Sequence, residues 1–311
     1  MASRLVVVVN RSGGTAKRLG RTALTTAIER GLDGAGRTDA TVAMVSGGEI
    51  AERIDSLIAG AEEVWVGGGD GTVRTVAARL LDTGIPLGII PLGTMNLLAH
   101  DLGLPQEIDA AMAALTTATA EAMDVGVVSH AADPEGAIFL IKSALGLYPE
   151  MVVDRERRRR LFGHGKWPAM VRASLRALRR NRTLEVDLVH DGERRRLTTP
   201  AIVVSNNPYE FRAGRLFTKP DLASGELTVY VSTTRGRAGL ALQLVKIFTG
   251  GLPRDRDLEI IHTSEIEIAF RRSRPVANDG EVAVVRAPVR YSLRPRALTV
   301  LRPPDAENGS T

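Results

Sequence analysis

The chain of 311 residues is long enough for about two domains, and its 44% hydrophobic composition is enough to fill two cores. It contains no cysteine, which excludes disulfides, a thiolate nucleophile and a cysteine-based zinc site, and which fits a reducing cytoplasm. The net charge of +5 is uneven, because eleven basic and only two acidic residues lie between 154 and 182. No apolar run approaches the ~20 residues that span a bilayer, so we expect a cytoplasmic protein that is soluble or lies on a membrane surface.

The first part of the chain alternates apolar strands with glycine-bearing turns and helices. The predicted strands are Leu5 to Val9, Thr41 to Val45, Val64 to Val66 and Leu87 to Ile90. Helices are predicted from residue 15 to about 30, from 49 to 59, from 73 to 80 and from 108 to 117, and a short helix is predicted to end near residue 102. Strands that are apolar throughout and alternate with helices predict a parallel sheet covered on both faces, with the turns gathered at the carboxyl ends of its strands.

The third of these turns, Gly67 to Thr72, reads GGGDGT and predicts an anion site. Glycine lets backbone N–H groups approach phosphate oxygens, and the following helix adds partial positive charge at its N-terminus. Asp70 would repel phosphate unless a cation such as Mg²⁺ stood between them. The alternative reading is a tight strand-to-helix turn in which Asp70 caps the helix.

After residue 117 the pattern becomes that of successive strands, and a β-rich second domain is predicted to begin near 125. Ile266, Ile268 and Phe270 alternate with charged or small residues, which is typical of an antiparallel strand with one wet face. Asn278-Asp279-Gly280 is also a strong hairpin turn signal. The predicted strands are 122–128, 138–143, 183–189, 197–204, 227–232, 258–263, 265–270 and 281–286, with an ambiguous last one at 298–301.

A basic insertion at 149–182 interrupts these strands and is predicted to form two helices. Arg172, Arg176 and Arg179 form one stripe of the second helix, and Phe162 and Trp167 supply apolar anchors beside it. Such a segment could contact an anionic membrane. The alternative is a solvated helix packed on its own domain. A nucleic-acid partner is disfavoured, because aromatic residues that would stack on bases are sparse.

Several ordered motifs together resemble one family. GGGDGTVRTVA, PLGTMNLLAHDLGLP, Asp124-Val125-Gly126, SNNPYEFRAGRLFTKPDLASGELTV and Asn278-Asp279-Gly280-Glu281 cover nearly the whole chain in the right order. The sequence thus resembles the diacylglycerol kinase catalytic domain superfamily of lipid kinases. The resemblance implies an α/β nucleotide-binding domain with a parallel sheet at 1–124 and a β-rich sandwich-like domain at 125–296. The last strand, near 297–302, would return to the first domain, and 303–311 is expected to be a disordered tail.

The resemblance also implies transfer of the γ-phosphoryl group of ATP to a lipid hydroxyl with Mg²⁺, and it assigns residues to that reaction. Asp70, Asp279 and Glu281 would be catalytic, with Asp70 and Asp124 at the metal, and the choice of general base between Asp70 and Asp279 stays open. Many relatives carry an aspartate where this chain has Leu97. The implied nucleotide-binding residues are Asn10, Ser12, Gly14, Ser46, Gly68, Gly69, Gly71, Thr72, Gly93, Thr94 and Asn96.

Two other functions stay open at this stage. NAD kinases share the GGDGT turn, although their downstream Asn-Glu signature is not evident here. A nucleotide- or lipid-binding regulator with weak turnover would fit Leu97. The lipid acceptor is not identified by the spacing of any motif, and the oligomeric state is open, with a homodimer compatible with the sequence.

Overall fold

The computed structural model describes residues 4–146, 183–212, 215–219, 221–234, 236 and 258–304. These residues belong to two compact units. Unit 1 comprises Met1–Asp124 and Pro295–Thr311, and unit 2 comprises Val125–Arg294. The predicted membrane-contact residues Phe162, Trp167, Arg172, Arg176 and Arg179, the rest of the insertion from 149 to 182 and most of the tail lie outside the described residues.

Unit 1 is built on a parallel sheet whose strands lie in the order β2 (Thr41–Val45), β1 (Leu5–Asn10), β3 (Glu63–Gly68) and β4 (Leu87–Pro91). Every residue of β1 is buried, because helices cover both faces of a parallel sheet and leave no wet side. Beyond β4, the end of β18 adds a parallel neighbour through Val300 and Leu87. The strands are β1 Leu5–Asn10, β2 Thr41–Val45, β3 Glu63–Gly68, β4 Leu87–Pro91, and the parts of β5 Thr119–His130 and β18 Val289–Arg302 that lie in this unit.

The helices of unit 1 turn apolar faces toward this sheet. In α4, for example, Val73, Val76, Ala77 and Leu80 are buried and follow the spacing of one helical face. The helices are α1 Gly14–Leu19, α2 Arg21–Gly34, α3 Gly47–Leu57, α4 Asp70–Leu80, α5 Leu97–Asp101 and α6 Ile108–Thr116.

Unit 2 consists of antiparallel strands in two layers. One sheet has the order β14-β13-β10-β7-β16-β17, and the other joins β9, β8, β15 and the first part of β18. Buried side chains from both layers, including Val204, Val229, Leu188, Ile268 and Tyr291, form one core. The strands are β6 Asp133–Phe139, β7 Lys142–Gly146, β8 Leu184–His190, β9 Glu193–Thr199, β10 Ala201–Ser205, β11 Glu210–Arg212, β12 Arg215–Thr218, β13 Leu227–Ser232, β14 Leu258–Thr263, β15 Glu265–Ala269, β16 Arg274–Asn278 and β17 Glu281–Val285.

The predicted fold class, a parallel α/β domain followed by a β-rich sandwich-like domain, is confirmed. Three predicted elements are wrong in detail because the backbone is interrupted. The helix from residue 15 breaks at Gly20, which has φ 79°. The strand 197–204 breaks at Pro200, which has no N–H for a ladder. The strand 138–143 breaks at Leu140 and Ile141, whose N–H groups bind a side chain of another hairpin.

None of the described helices is long and apolar enough to cross a membrane.

Candidate functional site

Three glycine-bearing turns of unit 1 are joined to one another at the carboxyl ends of β1, β3 and β4. The side-chain amide of Asn10 donates to Thr72 Oγ1 over 2.8 Å and so connects the first turn to the third. The carbonyl of Leu92 accepts from Thr15 N at 2.9 Å, and Leu92 N donates to Gly68 O at 3.0 Å. The predicted phosphate-binding turns therefore form one cluster. It contains Asn10, Ser12, Gly14, Gly68, Gly69, Gly71, Thr72, Gly93, Thr94 and Asn96.

The backbones of two of these turns touch where only glycine fits. A Cβ atom on Gly93 would lie 2.4 Å from the Cα of Gly69, and one on Gly14 would lie 3.1 Å from Thr94 Oγ1. Contacts of 2.4 Å are too short for any side chain. The absence of a Cβ atom at Gly93 therefore allows the backbones of the third and fourth turns to approach this closely.

Asp70 is half-buried and is the first residue of α4, whose N-cap is Gly69. Its Oδ1 accepts from the backbone N–H of Leu97 at 2.7 Å and of Leu98 at 3.4 Å. Asp70 thus caps α5 and not its own helix. This bond fixes the carboxylate between the GGGDGT turn and the turn that precedes α5.

Asn96 shapes the fourth turn from inside. Its backbone is left-handed, with φ 50°, and its Oδ1 accepts from Gly93 N at 2.8 Å. Its Nδ2 donates to Gln106 Oε1 at 3.1 Å. The side-chain amide is therefore engaged in holding the turn, and Gln106 was missed because nothing in its local sequence signals that contact.

Ser46 follows β2 and begins α3 with a capping box. Its hydroxyl accepts from Glu49 N at 3.3 Å, and Ser46 N donates to Glu49 Oε2 at 2.7 Å. Arg11, in the first turn, donates to the same carboxylate oxygen at 3.2 Å. The bonds from Ser46, with a smaller contribution from Arg11, lower the pKa of Glu49 to about 2. The beginning of α3 lies next to the first turn. A Cβ atom on Gly47, the residue after Ser46, would lie only 3.1 Å from the side-chain nitrogen of Asn10.

Asp124 is fully buried at the end of unit 1, where its Oδ1 accepts from Arg296 N at 2.7 Å. This bond ties β5 to the part of β18 that belongs to the same unit. Within the described ranges, no group of three or more His, Asp or Glu side chains could hold a metal ion by itself. Mg²⁺ is usually held by one or two carboxylates together with water and substrate phosphates. The half-buried carboxylate of Asp70, beside the predicted phosphate-binding turn, is a side chain of the kind that this ion needs.

In unit 2, Asp279 occupies the two-residue turn between β16 and β17. Asp279 and Gly280 have φ 48° and 87°, as a type I′ hairpin requires. The hairpin turn predicted from Asn278-Asp279-Gly280 is therefore confirmed. The Asp279 carboxylate accepts from Leu140 N at 2.8 Å, Ile141 N at 3.0 Å and Lys142 N at 3.1 Å. The Asp279 side chain is buried, and three consecutive N–H groups hold its carboxylate. Glu281 follows on β17, where it is exposed.

The backbone segment that binds Asp279, residues 140–142, could not be identified from the sequence. Leu140 and Ile141 look like the middle of an apolar strand, and only the partner hairpin, about 140 residues later, draws their N–H groups out of the ladder. The buried Lys219 was also missed, because lysine is ordinarily a surface residue.

Comparison with known proteins agrees with this architecture. The profile of the diacylglycerol kinase catalytic domain matches residues 4–128, and that of the YegS C-terminal NAD kinase beta sandwich-like domain matches residues 152–302. Two crystal structures from Bacillus anthracis share the fold. One has a TM-score of 0.75 at 23% identity, and it covers 97% of this chain and 98% of that chain. The other, of a diacylglycerol kinase, has a TM-score of 0.69 at 19% identity and covers 97% of each chain.

Two relatives are similar over most of the chain. A diacylglycerol kinase of Mycobacterium tuberculosis is 30% identical in an alignment of 248 residues that covers 78% of this chain and 78% of that protein. An uncharacterised Synechocystis protein is 29% identical in an alignment of 249 residues that covers 76% of this chain but only 54% of that longer protein. The chain therefore belongs to the family of diacylglycerol kinase-like lipid kinases that carry the diacylglycerol kinase catalytic domain.

Proposed function

We propose that this protein is an ATP-dependent lipid kinase, which transfers the γ-phosphoryl group of ATP to a hydroxyl of a lipid acceptor with Mg²⁺. The observation that carries the proposal is the cluster of three joined glycine turns with the half-buried carboxylate of Asp70 between two of them. Family membership supports phosphoryl transfer as the class of reaction.

The turns are suited to a chain of phosphates because their glycines leave the backbone N–H groups accessible. The N-terminus of α4, an eleven-residue helix that opens at the GGGDGT turn, adds its dipole at the same place. Asn10 keeps the first turn against Thr72, so the donors are positioned before the nucleotide arrives. Such preorganisation is the main contribution of a protein to phosphoryl transfer, because the transition state is loose and mostly needs charge to be neutralised.

Asp70 is the residue that would hold Mg²⁺ in this proposal. Asp124, the second predicted ligand, is fully buried and accepts from Arg296 N. When bound, the ion would neutralise charge on the β- and γ-phosphates. Asp279 is proposed to act on the acceptor side, where a carboxylate orients the hydroxyl and takes its proton, a contribution of about 10² to 10⁴ in rate. Glu281 is proposed as a partner of the metal or of the nucleotide. Three backbone N–H groups hold the Asp279 carboxylate in one orientation.

Diacylglycerol is the first acceptor to test, because a relative at 30% identity is named for it. The protein should be incubated with labelled ATP and Mg²⁺ and, in parallel, with diacylglycerol, a sphingoid base, a total lipid extract and NAD. A labelled phospholipid supports the proposal, and labelled NADP in its place would make the protein an NAD kinase. ATP binding without any labelled product would favour a regulator with the fold of a kinase.

The role of Asp70 can be separated from its structural bond. Asp70→Asn keeps an oxygen that accepts from Leu97 N but removes the charge. We expect this variant to retain the wild-type Tm within a few degrees and to lose at least ~10²-fold in kcat, since the carboxylate charge is needed for the metal. Asp70→Ala should lose activity and also about 1 kcal/mol of stability, because α5 loses its cap.

Asp279→Asn serves as the comparison, since it should lower kcat without changing the Mg²⁺ concentration that gives half-maximal rate. A rise in that concentration for Asp70→Asn alone would separate the two roles. Full phosphoryl transfer by Asp70→Asn would refute the metal role of Asp70.

A further inference from the structure

Lys219 in unit 2 is a buried lysine that the proposed reaction does not yet use. It is 2% exposed, and its ammonium donates to the carbonyl of Ile141 at 2.9 Å and to Asn206 Oδ1 at 2.5 Å. The Nζ atom also lies 4.9 Å from the centre of the Tyr209 ring. Two oxygens and an aromatic face thus surround the cation.

A buried ammonium is unfavourable unless its donors are satisfied, so it holds its oxygen partners firmly. The carbonyl of Ile141 receives a second donor, the Ser205 hydroxyl, at 3.2 Å. The carbonyl of this one residue is therefore fixed from two directions, by β10 and by the loop that carries Lys219.

The N–H of the same residue, Ile141, donates to the carboxylate of Asp279 at 3.0 Å, and its neighbours Leu140 and Lys142 donate to that carboxylate as well. Ile141 thus has an ammonium on its carbonyl side and a carboxylate on its amide side. Hydrogen bonds in such a chain polarise and strengthen one another. This residue connects Lys219 to Asp279.

We propose that Lys219 is a positioning residue for Asp279. The Lys219 ammonium fixes the backbone of residues 140–142, and the N–H groups of that segment fix the Asp279 carboxylate. The functional half of this inference rests on the proposed role of Asp279 in phosphoryl transfer. The structural half does not depend on it, and the two halves are tested separately.

Amide hydrogen exchange tests the structural half on the whole protein. In Lys219→Met, which keeps the length of the stem but not the charge, the amides of Leu140, Ile141 and Lys142 should exchange at least ~10-fold faster than in the wild type. Asn207→Ala is the matched control. Asn207 is also fully buried, but its hydrogen bonds go to Leu222 and Ser224. Equal exchange at 140–142 in wild type and Lys219→Met would overturn the proposal.

A double-mutant cycle on the rate tests the functional half. Lys219→Met should lower kcat about 10-fold or more with KM for ATP unchanged, and it should have no further effect in an Asp279→Asn background, because both changes remove the same carboxylate function. A merely structural role would lower kcat by the same factor in both backgrounds, and that result would refute the positioning role.

Lys219→Gln replaces Lys219→Met if the latter does not fold, since Gln keeps an N–H donor and removes only the charge. The two failures are distinguishable. If the wild type phosphorylates no lipid, the proposed function fails and the exchange measurement still decides whether Lys219 fixes the 140–142 peptide. If the wild type is active and the cycle is additive, only the role of Lys219 fails.

Discussion

At the scale of single residues, three of the four carboxylates proposed for the reaction are held by backbone N–H groups, whereas Glu281 is exposed. Asp70 accepts from the start of α5, Asp124 from Arg296, and Asp279 from three consecutive residues. An N–H donor both orients a carboxylate and satisfies part of its charge. The acids are thus fixed in place before any ligand binds, which is the arrangement that electrostatic catalysis favours.

Glu49 allows a pH test of the capping box beside the first turn. Its pKa is lowered from 4.5 to about 2 in the folded protein, so its ionised form contributes stability above about pH 4.5, and this contribution is lost as the pH falls toward 2. Glu49→Gln keeps the capping acceptor but cannot titrate. We expect the Tm advantage of the wild type over Glu49→Gln to be largest above about pH 5 and to close on acidification.

Thermal unfolding followed by circular dichroism between about pH 3 and pH 7 measures this difference. Glu52→Gln, one turn along the exposed side of α3, is the control for loss of one negative charge. A Tm advantage over Glu49→Gln that stays constant with pH would contradict the assignment.

At the scale of elements, the turns are more informative than the strands and helices they connect. The sheet of unit 1 would tolerate many apolar sequences, but the contact between Gly69 and Gly93 admits no Cβ atom. Similarly, β6 and β7 are separate strands only because the β16–β17 hairpin inserts the Asp279 carboxylate at residues 140–142. In both units, residues proposed for the reaction therefore lie at local irregularities of the backbone.

Gly93→Ala tests the contact between the third and fourth turns. The new methyl group would overlap the Gly69 backbone, so we expect a loss of about 1–3 kcal/mol in the free energy of unfolding and a marked loss of ATP affinity. Chemical denaturation and ATP titration measure the two effects. Gly48→Ala is the control, because the space around Gly48 in α3 is open and alanine favours a helix. Equal changes in stability and in ATP affinity for the two variants would show that the contact between Gly69 and Gly93 contributes to neither.

At the scale of the whole molecule, the uneven charge distribution leads to a proposal about the membrane. The basic segment at 154–182 contains Phe162 and Trp167, and its eleven basic and two acidic residues give it a net charge of +9, against +5 for the whole chain. A kinase for a lipid acceptor must reach that acceptor in a bilayer, and anionic lipids attract such segments at about 1 kcal/mol per basic residue. We propose that this segment contacts an anionic membrane surface.

Changing Arg172, Arg176 and Arg179 to Glu should therefore lower affinity for phosphatidylserine-containing vesicles about 100-fold or more, and binding of the wild type should fall with salt. Vesicle sedimentation measures both effects. Arg21, Arg53 and Arg272 changed to Glu give the same change in net charge at exposed positions elsewhere in the chain. Unaltered vesicle binding by the first variant, or an equal loss in both, would exclude the segment as a specific contact.

Much of the fold and part of the site could be predicted from the sequence. Continuous apolar strands such as LVVVV predict burial on both faces, and the alternation at 265–270 predicts a strand with one solvent-exposed face. Both predictions follow from strand geometry, because successive side chains point to opposite faces of a sheet. The turns 10–15, 67–72 and 93–96 could likewise be predicted to meet, since parallel strands bring their carboxyl ends to one edge.

The interaction partners of the polar side chains were decided only by the tertiary structure. That Asp70 caps α5, that Asn96 bonds to Gln106, and that Lys219 and Asp279 bond to opposite sides of Ile141 are contacts between residues far apart along the chain or on different elements. Local propensity and period determine which residues are buried and in which kind of element. A hydrogen bond needs two atoms within about 3 Å in the right direction, and that condition is set by how the elements pack and not by the sequence on either side of each residue.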